Sequence, residues 1–78
     1  MNQKEKIVKL LKDMYPGCKT RIVMGTESCD LRVIHNSFAG KRIFVRIFEV
    51  LELVEKSVKG KMFTIEPLTQ EEWDSRRW

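Results

Sequence analysis

The sequence predicts an α+β fold: one small domain in which a three-stranded sheet packs against helices in the order helix, strand, strand, helix, strand, short helix. Three observations carry that prediction. Apolar residues recur at helical spacing over 7–14 and 43–58, the segments 18–24 and 29–35 alternate with period two, and Gly or Pro punctuates the joins. With 78 residues the chain holds one domain, 1–78, and a thin core.

The first helix is expected over 3–14. Asn2 followed by Glu5 resembles a capping box, and Ile7, Val8, Leu10, Leu11 and Met14 form its apolar stripe. Tyr15 precedes Pro16, which disfavours the α region, and Gly17 completes the stop. Strands 18–24 and 29–35 follow as a hairpin around Gly25-Thr26-Glu27-Ser28, with Cys18, Thr20, Ile22 and Met24, then Cys29, Leu31 and Val33, on the buried side.

The segment from Lys41 is rich in β-branched and aromatic residues, yet residues 43, 44, 47, 50, 51, 54 and 58 fit a 3.6-residue repeat. A helix is therefore expected, with Phe44, Phe48, Val50, Leu51 and Val54 in the core, Arg42 and Arg46 facing water, and Gly60 past its end. Residues 61–66 form a third strand, with Pro67 at its end or on an edge. Thr69 and Glu72 make a second capping box, starting a last turn that brings Trp73 down as a lid. Trp78, after Arg76 and Arg77, is either a frayed end or a partner contact.

Composition narrows the function classes. An apolar content of 42% rules against a disordered tail, and no apolar run approaches the ~20 residues of a membrane span. The N-terminus has no apolar signal block, so a cytosolic, or cytosolic and nuclear, protein is expected. In the hairpin the two cysteines are separated by roughly 20 Å of strand, beyond the ~7 Å of bridged Cα atoms, so reduced thiols are expected. No nucleophile motif or phosphate loop occurs, and the protein is read as a non-enzyme.

Two sets of residues are candidates for binding. Cys29 at a turn edge and His35, the only histidine, are potential metal donors; their alternatives are a core thiol and a solvent-facing imidazole. Lys41, Arg42 and Arg46 near a helix N-terminus, with Lys19, Arg21 and Arg32 on the hairpin, suggest an anionic partner such as nucleic acid. The alternative is a solvated surface on a domain of net charge +4. No Gly-x-x-Gly is present, so the phosphate clamp of a KH domain is missing.

In this order, Phe38-Ala39-Gly40-Lys41, Arg46 and Thr69-Gln70-Glu71-Glu72-Trp73 resemble the BolA family, with Gln70 replacing the motif's Pro. The resemblance covers nearly the whole chain and implies a BolA-like fold similar in layout to the type II KH domain. It also implies an adaptor or regulator that pairs with a monothiol glutaredoxin in iron-sulfur or iron handling. Arg46 and Trp73 are the expected partner contacts, and the chain itself is expected to be a monomer or weak dimer. One departure stands out. Ile47 occupies the place of the family's Arg-His-Arg histidine, and Phe48 that of the following Arg. Neither side chain donates to a [2Fe-2S] cluster. Any cluster shared with a glutaredoxin is therefore expected to be bound weakly or differently, with Cys29 as the ligand from this chain.

Overall fold

The computed structural model describes residues 2–76, so the reading of Trp78 lies outside the described residues. The elements are α1 (Gln3–Met14), β1 (Lys19–Met24), β2 (Ser28–Ile34), a 3₁₀ turn (Asn36–Phe38), α2 (Ile43–Glu55), β3 (Met62–Leu68) and α3 (Gln70–Asp74). The order α-β-β-α-β-α is the predicted one. No helix among the described residues is long and apolar enough to cross a membrane.

Local chemistry explains the ends of α1. The Asn2 side chain accepts from the Glu5 N–H at 2.8 Å, satisfying a donor of the first turn. At the other end Tyr15 leaves helical geometry ahead of Pro16, and its N–H donates to Leu11 O. The hairpin register places Cys29 opposite Met24 and Arg32 opposite Arg21, as the turn spacing requires.

The sheet has β2 in the centre, antiparallel to β1 and parallel to β3. A parallel pair needs a crossover, and α2 supplies it. β3 runs through Pro67 to Leu68, beyond the predicted end at 66, because an edge strand does not need that N–H.

One face of the sheet meets α1 and α2. Ile7 and Leu11 of α1 and Val50 and Val54 of α2 close over Ile22, Cys29, Leu31 and Val33, with Phe38 and Val58 sealing the ends. Phe38 enters this core because Gly40 turns the chain with φ of +78°, a conformation costly for any other residue. Tyr15 packs tilted against Phe38 at 4.9 Å between ring centroids, and its hydroxyl is buried without a hydrogen-bond partner. Burial first, and then the negative charge of Glu49, push this phenol up to about 12. Since an unmatched buried hydroxyl contributes nothing favourable, Tyr15→Phe is expected to be neutral or to stabilise by up to about 1 kcal/mol in urea unfolding.

The phase of α2 differs from the expectation. Its buried ladder is Arg46, Val50 and Val54, continued by Val58 in the following turn, while Phe44 and Phe48 are 71% and 61% exposed. The two phenylalanines expected in the core face outward, and the arginine expected in water faces inward. Apolar residues occur almost all round this helix, so tertiary contacts choose the buried side.

Candidate functional site

Arg46 is the centre of the arrangement that the two end motifs share. It comes from the first turn of α2 and is only 7% exposed. Its Nε donates to Lys41 O at 2.9 Å, and its Nη1 donates to Glu72 Oε1 at 2.6 Å and to Pro67 O at 3.3 Å. One guanidinium thus joins the segment entering α2, the end of β3 and the start of α3. Glu72 is shared: it also accepts from the Thr69 N–H at 2.8 Å, while its own N–H donates to Thr69 Oγ1 at 3.1 Å, completing the capping box.

This geometry corrects the reading of Arg46 as a nucleic-acid or partner contact. A fork buried among three acceptors is engaged by its own fold. Lys41 is likewise committed, with Nζ donating to Glu49 Oε1 at 2.8 Å, so Arg42 alone of that trio is an exposed cation. On the hairpin, Arg32 is balanced by Glu66 at 2.9 Å, which relieves its repulsion with Arg21. Lys19 donates to Gln70 Oε1 at 3.0 Å. The basic patch read from the sequence is largely a set of internal pairs.

Trp73 lies on the sheet face opposite the main core. Its half-buried ring stacks under the Arg32 guanidinium, 4.4 Å from the ring centroid, with Arg76 at 5.4 Å. Glu66 accepts from both arginines. The tryptophan is a lid, as expected, but it closes on cations and not on an apolar floor.

The candidate donor atoms are buried or already hydrogen-bonded. Cys29, expected as a cluster ligand, is wholly buried among core residues, and burial, followed by the charge of Asp30, raises its thiol pKa. Cys18 is also buried, its thiol directed to Leu11 O at 3.7 Å. His35 uses both ring nitrogens internally: Nδ1 accepts from the Ser37 N–H at 3.1 Å, so Nε2 carries the proton and donates to Pro16 O at 2.9 Å. Both nitrogens are thus occupied, which corrects its reading as a metal donor; the ring itself is half-buried at the end of β2. Cys29 and His35 stand at opposite ends of β2, and no group of three potential metal-binding side chains exists among the described residues.

Sequence reasoning missed the Arg46–Glu72 pair, although a signal was present. Arg46 is in line with Val50, Val54 and Val58 at four-residue steps, and an arginine on a buried ladder requires a counter-charge. The Glu72 carboxyl is held below its ordinary 4.5, first by the Arg46 hydrogen bond, and Glu66 is lowered chiefly by Arg32. In each case the folded pKa lies below the unfolded one, so the stabilising contribution is full above about pH 4.5 and is lost as pH falls through the depressed values. Thermal unfolding is expected to show that acid loss, and Glu72→Gln should flatten part of it while lowering stability at neutral pH.

Two of the solved structures that share this fold match over nearly the whole chain. One is BolA1 from Arabidopsis thaliana, with a TM-score of 0.79, 16% identity, and coverage of 92% of this chain and 96% of that one. The other is the BolA domain of SufE1 from Arabidopsis thaliana, with a TM-score of 0.70, 18% identity and the same coverages. No family model matches the sequence, and no curated protein does. The likeness establishes a BolA-like fold.

Proposed function

We propose that this chain is a non-catalytic adaptor that pairs with a monothiol glutaredoxin in iron-sulfur or iron handling, and that it does so by protein contact without supplying a cluster ligand. The BolA-like fold supports the adaptor class. The observation that carries the second half is the burial of both thiols and the internal hydrogen bonding of both imidazole nitrogens, together with Ile47 and Phe48 at the positions where the resemblance expects the Arg-His-Arg donor segment. A [2Fe-2S] cluster accepts thiolate or imidazole and gains nothing from isoleucine. The cluster therefore belongs to the partner's side of the pair, if the pair holds one.

An amide-shift titration with a monothiol glutaredoxin, performed with and without iron and sulfide, tests both halves. Saturable shifts in either condition, with a visible spectrum indifferent to Cys29→Ser, are the expected result. Absence of shifts in both conditions overturns the pairing. A cluster band that disappears with Cys29→Ser overturns the claim that the chain supplies no ligand.

A further inference from the structure

The outward side of α2 is an apolar surface with charged ends. At about 100° per residue, Phe44, Glu52 and Glu55 lie within roughly 40° of Phe48 around the helix, and Val45 and Leu51 flank it at about 60°. Phe44, Val45 and Phe48 are exposed and Leu51 is half-buried. At the N-terminal end stands the exposed Arg42, beside a Lys41 already paired with Glu49; at the C-terminal end stand the exposed Glu52 and Glu55, with Lys56 at the rim and Lys59 beyond the helix. The first turn contains no acidic residue and the last turn no basic one.

That charge order is unfavourable for an isolated helix. The exposed Arg42 sits at the positive end of the dipole and the last-turn carboxylates at the negative end. An antiparallel copy reverses both defects, since its acidic end lies beside the basic end of the first and the two dipoles oppose. We propose that a second copy of this chain covers the face, with α2 packed antiparallel on α2 about a two-fold axis at Phe48. In that arrangement Phe48 meets Phe48, Phe44 lies level with Leu51 of the second copy, and Arg42 lies near its Glu52. The contact is isologous and closes as a dimer. One helix against one helix is smaller than a standard interface, so a dissociation constant of about 10 µM to 1 mM is expected.

The inference is independent of the glutaredoxin reading, because it is tested with this chain alone. Sedimentation velocity across that concentration range should show a monomer–dimer equilibrium. Phe48→Glu, at an exposed position, should leave the thermal unfolding curve in place and abolish the dimer. Arg42→Glu and Glu52→Arg should each weaken self-association at least tenfold, whereas an equimolar mixture of the two variants should dimerise again, since both charge pairs are then matched. A wild-type chain that stays monomeric throughout overturns the proposal. So does a dimer that survives Phe48→Glu, or a mixture that associates no better than either variant alone.

Discussion

Arg46→Met is expected to lower the unfolding free energy by about 2–3 kcal/mol, measured by urea denaturation at neutral pH. Breaking a buried ion pair typically costs about 3–5 kcal/mol, and the lower value reflects Glu72, whose side chain is 44% exposed and regains water. Three acceptors lose their donor at once: Lys41 O, Pro67 O and Glu72. Arg46→Lys should recover less than half of the loss, because an ammonium lacks the planar fork that reaches separate acceptors. A double-mutant cycle with Glu72→Gln should give coupling of about 1 kcal/mol or more. Coupling near zero, or a wild-type midpoint in Arg46→Met, would show that the guanidinium does not hold α2, β3 and α3 together.

Phe38→Ala carries the largest expected loss, about 3–5 kcal/mol, as for other buried aromatic truncations. Phe38 has no exposed surface and packs against Tyr15 within the single core. A domain of this size is worth only about 4–12 kcal/mol in total, so the variant should be substantially unfolded near 37 °C. Phe44→Ala provides the contrast. Its ring faces solvent, and its removal should change stability by less than about 0.5 kcal/mol. Equal effects of the two truncations in thermal melts would refute the observed phase of α2.

That phase marks where sequence reasoning succeeded and where it failed. Strand residues alternate with a period of two, so a turn of known length sets the register, and Arg21 falls opposite Arg32. α1 has polar residues on one side and a single apolar stripe, which leaves one way to bury it. α2 offers no such choice from its own residues, since apolar side chains occupy positions 43, 44, 45, 47, 48, 50, 51, 53 and 54. Several rotations about its axis bury comparable area. The candidate site suffered in consequence: an arginine assigned to solvent became a partner-binding residue, and two exposed phenylalanines became core.

Element types, helix caps and the hairpin register were written in local patterns, because caps, turns and alternation act over a few residues and are satisfied within them. The sheet order, with β3 parallel to β2, and the rotation of α2 were decided by contacts between segments far apart in the chain. Arg46 and Glu72 are 26 residues apart, and their meeting requires β3 to be in place before the guanidinium has its acceptors. The same long-range packing buries Cys29 and brings the half-buried His35 ring against Pro16 O. Residue type made them candidate donors; in the folded chain burial occupies the thiol and hydrogen bonds occupy both nitrogens of the imidazole.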